Sequence, residues 1–411
     1  MGAMLASALA DCTEVFLLTL EEKAPKDYPC SEKVRHCAIP EAEIGRPDEG
    51  GNVDRDGNRI RFVKEFKRKH RIAVSISFLE KANFVNVRSR RGERVIVSVR
   101  NHYRRKIEEK GDLFSFYCRE GTCGADRVAV ISEGLRQDLV RLFSIPEDRI
   151  SVIYNFCRPE ALRGLAGDPV PEDIAGFLGG RPYLASVGRL VPQKGQEGLL
   201  RVFRRVLKTQ PETRLVILGE GPGREGLEQQ IRELGLSESV LLAGYRKNPF
   251  PVIAGAAAVL SASRYEGLGN SLLEAMALGK AVIAADCQFG PRELLEGNAD
   301  YGESLADYRV GPCGILCPDL FPGEGAEAGT EAAAEKAAEL AADTASEIAA
   351  AKAAEMAAAA ENTMAEAAVL LLRDPDLRQR LGEAAARRAG EFTEAAALGK
   401  WLRLCGAEEQ L

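Results

Sequence analysis

Short apolar runs rich in β-branched residues recur along most of the chain, separated by polar stretches that carry glycine or proline. In the first half they fall at TEVFLLTL, IAVSISFL, RVIVSVRN, RVAVIS and ISVIYN, the length and composition of strands buried in a sheet. Helical spacing lies between them, as in EGLRQDLVRLFSI, where Leu135, Leu139 and Leu142 share a face. In the second half strands are expected at PYLASVGR, RLVILGE, VLLAGY, AAVLSAS and KAVIAAD, each followed by a loop and a helical pattern. Strand alternating with helix predicts an α/β chain of parallel sheets covered by helices. Polar, proline-containing sequence from Asn155 to Pro171 interrupts the alternation. At 411 residues the chain is too long for one ordinary core, so the pattern predicts one domain over 1–156 and a second over 157–322.

Residues 323–368 differ in kind. In eights they read AAEKAAEL, AADTASEI, AAAKAAEM and AAAAENTM, so that Leu340, Ile348, Met356 and Met364 recur at a fixed interval. Alanine and glutamate favour helix, but eight residues advance a helix by about 800°, which carries each large residue roughly 80° round from the last. No single apolar stripe results, and an exposed helix or a disordered insert is expected rather than a coiled coil. Residues 369–411 return to globular patterning and are expected to complete the second domain with helices.

Composition refines this picture modestly. The formal net charge of −6 says little, but from Arg55 to Lys110 eighteen lysines and arginines face six acidic residues. Such a stretch suits an anionic membrane surface or a phosphate-bearing substrate, or is a solvated charged face. Ten cysteines and three histidines form no four-ligand zinc spacing, and reduced thiols in the cytoplasm are expected. No uninterrupted apolar span is long enough for a bilayer. Any membrane contact is therefore expected to be peripheral, at the inner face, and no nucleic-acid partner is expected.

Three loops carry candidate chemistry. GRLVPQKG, from Gly188 to Gly195, joins a strand to a helix and brings Arg189 and Lys194 to the helix start, an arrangement that suits a polyphosphate or is simply a loop with two solvated cations. RLVILGEGPGREG contains a literal GxGxxG at Gly221, Gly223 and Gly226. A dinucleotide-dehydrogenase reading of it is opposed by its place after the second strand of its domain. The next strand, VLLAGYRK, also lacks a terminal acidic residue for a ribose. Finally RYEGLGNSLLEAMALGKAVIAAD places Glu266 on a glycine-rich bend and Glu274 one turn into a helix. The free amides between them suit a phosphate, and the carboxylates can accept hydrogen bonds from sugar hydroxyls. Helix-dipole stabilisation by acidic residues is the alternative.

Together GRLxxxKG, GxGP and ExxxxxxxE, in this order and spacing, resemble the donor domain of glycosyltransferase family 4. That resemblance implies a GT-B fold, two Rossmann-like doubly wound domains facing a cleft, and transfer with retention of anomeric configuration. It covers Tyr183 to about Leu295 closely, and Ile72 to Asn155 and Arg373 to Leu404 more loosely. DCQFGPREL, SFLEKANFVNV and VIVSVRN resemble the variant in bacterial enzymes of polysaccharide and lipid-linked oligosaccharide biosynthesis that use N-acetylhexosamines. The family implies a nucleotide-sugar donor, UDP-sugar favoured over GDP-sugar, and a glycan or polyprenyl-diphosphate-linked acceptor.

Residue by residue, the resemblance makes Arg189 and Lys194 the cations on the donor diphosphate and sets Glu266 beside the transferred sugar. Gly267, Leu268, Gly269 and Asn270 would offer backbone amides, and Glu274 would bind the ribose. Gly188, Gly219 and Gly221 would allow close approach, with Tyr245 and Arg246 in a loop near the base. No cofactor or metal is implied, because arginine, lysine and a helix terminus neutralise the charge. On the acceptor side Arg100, Asn101 and His102 follow strand RVIVSV; His102 is either a polar contact to sugar or phosphate or an exposed histidine in a basic loop.

The family's N-terminal domain usually opens with a strand and a glycine-rich loop, whereas this chain starts at the following helix. Either the start lies downstream of the true one, or a central strand and part of the site are lost. A non-catalytic nucleotide-sugar-binding protein or partner subunit is thus the alternative to an enzyme.

Overall fold

The computed structural model describes residues 2–21, 30–47, 53–301, 304–322 and 339–406, with backbone alone for 339–350. It divides into two compact units, one of Met1–Phe156 with Phe392–Leu411, the other of Cys157–Glu391.

The first unit holds six described strands: β1 (Val15–Thr19), β2 (Val34–Ala38), β3 (Val74–Phe78), β4 (Arg94–Val99), β5 (Arg127–Val130) and β6 (Ile150–Val152). Sequence reading did not anticipate β2, whose VRHCA has two exposed central residues and no apolar run. All pairings are parallel, but they form two sheets, β1–β2 and β3–β4–β5–β6. Val15 of β1 nevertheless packs in the same cluster as Val74, Ile76 and Phe78 of β3.

The helix Glu394–Cys405 belongs to this unit, which corrects the expectation that 369–411 complete the second domain. The cause is its apolar face. Trp401, Leu402 and Leu404 are buried with Leu5, Leu9, Ile96 and Ile153, and the Trp401 ring lies 5.9 Å from Phe78.

The second unit has seven strands: β7 (Tyr183–Val187), β8 (Arg214–Leu218), β9 (Val240–Gly244), β10 (Ala258–Ser261), β11 (Val282–Ala285), β12 (Arg309–Val310) and β13 (Ile315–Cys317). Their order is β12-β13-β11-β10-β7-β8-β9, parallel throughout except at β12. From β7 the sheet grows one way through β8 and β9, and from β10 the other way through β11 and β13. The order therefore reverses between β7 and β10, and in open α/β sheets ligands bind beyond the carboxyl ends of the strands at such a point. Leu184, Leu199, Phe203, Ile217, Leu260 and Ile283 fill the core.

The alanine-rich segment is a single helix over Glu339–Arg373 where it is described; residues 323–338 and the side chains of Leu340 and Ile348 lie outside the described residues. Met356 is exposed as expected, but Met364 is not: it is buried with Ala360, Ala367, Ala368 and Leu371. The small residues complete an i, i+4, i+7, i+8, i+11 stripe that counting only large residues conceals. Beside it Glu361 is 3% exposed and held by Arg201 and Arg205. The end of the repeat is thus a core layer of the second unit, not an exposed insert.

Candidate nucleotide-sugar site

The loops after β7 and β10 leave the carboxyl ends of the two strands at the reversal point, and Lys194 of the first meets Glu266 of the second there. Lys194 ion-pairs with Glu266 Oε1, and Ser263 Oγ donates to the same oxygen at 2.7 Å. Both donors converge on Oε1, which leaves Oε2 without a partner among the described residues. Gly188 makes room for this pair: a Cβ there would lie 3.2 Å from the Lys194 stem. Arg189 is exposed, and its guanidinium has no partner among the described residues.

The bend after Glu266 leads into the helix Asn270–Ala277, with Gly269 at its start in the left-handed region, φ 96°. Gly267, Leu268 and Gly269 are buried, and among the described residues their amides donate to no acceptor. Buried amides without partners at a helix N-terminus attract anions. Glu266 is different, since its amide donates to Gln288 O at 2.9 Å. The loop after β11 therefore lies along this bend, steadied by Arg292, which is buried and paired with Asp286.

Glu274 sits one turn into the helix with no side-chain partner among the described residues. Burial, the sole cause, pushes its carboxyl up from 4.5 to about 7. A carboxylate held this way lacks donors among the described residues and suits donors from a ligand.

The glycines after β8 serve packing between loops. A Cβ on Gly219 (φ 146°) would lie 1.9 Å from Gly188 O, and one on Gly221 would lie 2.4 Å from Leu190 O. The room they provide is occupied by protein backbone, a different reason for glycine from direct approach of a nucleotide. Around Gly226 there is open space, so the third glycine of the literal GxGxxG has no packing demand of the dinucleotide kind. The Tyr245–Lys247 loop follows edge strand β9. Tyr245 is 74% exposed, while Arg246 donates to Ala243 O at 2.9 Å and pairs with Asp173.

In the first unit the three candidates after β4 are engaged internally. Arg100 lies 5.6 Å from the Phe78 ring and bonds Ser98 Oγ and Asn155; burial lowers it to about 10. Asn101 donates to Glu80 at 2.8 Å. His102 is 1% exposed, which corrects the picture of an exposed histidine in a basic loop. It caps the helix Tyr103–Lys110, its Nδ1 accepting from the Arg105 amide at 3.4 Å, and lies 3.7 Å from Asp138. The basic stretch is also partly consumed: Lys67 is buried against Glu93, and Arg59 against Asp56 and Glu21.

Comparison with known proteins bears on the family and the fold. Residues 3–161 match the model described as Glycosyltransferase Family 4, and residues 172–304 match Glycosyl transferases group 1. The chain belongs to the GT4-like glycosyltransferases of GT-B fold. A Campylobacter jejuni N-acetylgalactosamine-N,N'-diacetylbacillosaminyl-diphospho-undecaprenol 4-alpha-N-acetylgalactosaminyltransferase is 38% identical over 178 residues, 43% of this chain and 46% of that protein. A Staphylococcus aureus poly(ribitol-phosphate) alpha-N-acetylglucosaminyltransferase is 29% identical over 44% of this chain and 34% of its own length. These alignments span less than half of each relative. Among solved structures, Anabaena HepE in complex with UDP and glucose superposes with TM-score 0.70 at 15% identity, over 98% of this chain and 93% of that one.

The family's motif spacing led to Lys194 and Glu266 but not to the side chains that hold them. Ser263 lies three residues before Glu266 on the same non-helical loop, and nothing in the sequence singled it out. Gln193 sits at a variable position of the GRLxxxKG pattern, where sequence carries no sign of its contacts.

Proposed function

We propose that the protein transfers a hexose or N-acetylhexosamine, with retention of anomeric configuration, from a UDP-sugar to a glycan or polyprenyl-diphosphate-linked acceptor. The observation that carries this reading is that Lys194, paired with Glu266, and the open amides of Gly267, Leu268 and Gly269 lie on the two loops that leave the reversal point of the second sheet, with exposed Arg189 on the first of them. As the bond from the anomeric carbon to the diphosphate breaks, negative charge grows on the leaving nucleotide, and groups already aimed at that charge lower the barrier. In this reading Glu266 Oε2 accepts from a sugar hydroxyl, and Glu274 from the ribose. No metal is required, since two cations and a helix terminus supply the positive charge.

The test is a transfer assay with a panel of UDP-sugars and a polyprenyl-diphosphate-linked glycan, with and without chelator, the new linkage read by NMR. Chelator-insensitive transfer with retained configuration is expected; no transfer and no saturable UDP binding would overturn the reading.

We place the enzyme in the cytoplasm, in peripheral contact with anionic lipid at the inner face of the membrane. The ten unpaired cysteines suit a reducing compartment, and no described helix is long and apolar enough to cross a membrane. Arg61, Lys64 and Arg71 remain exposed for such contact. Binding to phosphatidylglycerol vesicles should weaken steeply with salt, and salt-independent or absent binding would argue against the contact.

A further inference from the structure

Gln193 makes two hydrogen bonds between the loop after β7 and the backbone of the loop after β10. Its Nε2 donates to Tyr265 O at 3.1 Å, and its own carbonyl accepts from the Arg264 amide at 2.9 Å. The two backbones touch beside it, since a Cβ on Gly195 would fall 2.0 Å from Ala262 O. The far side of the second loop is held as well, with Arg264 paired to Glu197 and stacked 3.8 Å over the Phe321 ring.

We propose that Gln193 is a positioning residue for sugar transfer: its side chain locks the loop that presents Lys194 onto the loop that presents Glu266. This rests on the function proposed above. A lysine ammonium rides on a flexible four-carbon stem, so its ion pair with Glu266 cannot by itself fix where the charge lies. Fixing the backbone on both sides of the pair does so. Gln193 directly precedes Lys194, and Tyr265 directly precedes Glu266, so the Nε2–Tyr265 bond joins the two loops one residue before each partner. Loss of that bond leaves both charges present and Gln193 joined to the second loop by the Arg264–Gln193 backbone bond alone, which gives Lys194 more freedom. Because the diphosphate's charge grows only as the sugar leaves, a misplaced Lys194 affects turnover more than donor binding.

The test is Gln193→Met, which keeps the side-chain length and removes the donor, alongside wild type. Turnover should fall about tenfold or more, with the donor KM and the thermal midpoint nearly unchanged. A second readout needs no activity: the rate at which an amine-acylating reagent labels Lys194, followed by peptide mass spectrometry, should rise severalfold in the variant. Unchanged labelling overturns the proposal, as does a turnover loss matched by a proportionate loss of stability. If wild type neither binds UDP nor transfers sugar, the functional reading fails, while the labelling comparison still decides whether Gln193 holds Lys194 in place.

Discussion

Replacing Lys194 by alanine is expected to lower kcat/KM for sugar transfer by about 10²–10³-fold, the loss typical of removing one preorganised charge from a developing anion. Lys194 has two tasks. In the proposed reaction it faces the donor diphosphate, and it neutralises Glu266, whose side chain is only 9% exposed. Alanine therefore also strands a buried carboxylate, which costs stability because the remaining charge has lost its partner. The two effects separate in the double variant Lys194→Ala/Glu266→Gln. The neutral amide can still accept from Ser263 Oγ, so thermal stability should return while transfer does not. A single variant with transfer within roughly threefold of wild type would remove Lys194 from the mechanism. Full recovery of activity in the double variant would mean that Lys194 serves only to neutralise Glu266.

The second unit was legible in sequence because each strand from β7 to β11 is a short apolar run bounded by a polar or glycine-bearing loop, and a central parallel strand leaves little room for another reading. GRLVPQKG and RYEGLGN stood out for the same reason, since charged and glycine residues mark strand ends, and their Lys194 and Glu266 are paired in the structure. What escaped depended on contacts far apart in sequence. Gln193 and Tyr265 are 72 positions apart, and nothing local marks either. The helix around Trp401 follows the second unit in sequence, but its apolar stripe matches Leu5, Leu9 and Ile96 of the first. Met364 was assigned to a repeat by its spacing, when its burial depends on alanines that sequence reading counts as filler. Sequence left His102 as either a polar contact to sugar or phosphate or an exposed histidine; the second is overturned because its ring caps a helix and lies against a buried aspartate.

A pH dependence centred on Glu274 is the second large effect expected. Its carboxyl ionises near 4.5 in the unfolded chain and at about 7 in the folded one, through burial. Between those values the folded state keeps a proton that the unfolded state has lost. Stability must therefore fall as pH rises across this window, with no cost below it and the full cost, on the order of 3 kcal/mol at most, above it. Glu274→Gln should abolish this fall and leave the protein more stable than wild type at about pH 8, measured by denaturant titration at several pH values. Function should run the other way. An ionised carboxylate can accept from two ribose hydroxyls, whereas the protonated form must spend one oxygen as a donor. UDP affinity should therefore weaken by up to about tenfold per unit as pH drops below 7, and the glutamine variant should bind weakly at every pH. Comparing variant with wild type cancels the titration of the terminal phosphate of UDP itself, and 2′-deoxy-UDP, with one hydroxyl fewer, should show a shallower dependence. If the stability curves of wild type and Glu274→Gln run parallel, the buried carboxyl does not titrate in this window. If they diverge but UDP affinity shows no matching difference, Glu274 is buried for packing and the ribose lies elsewhere.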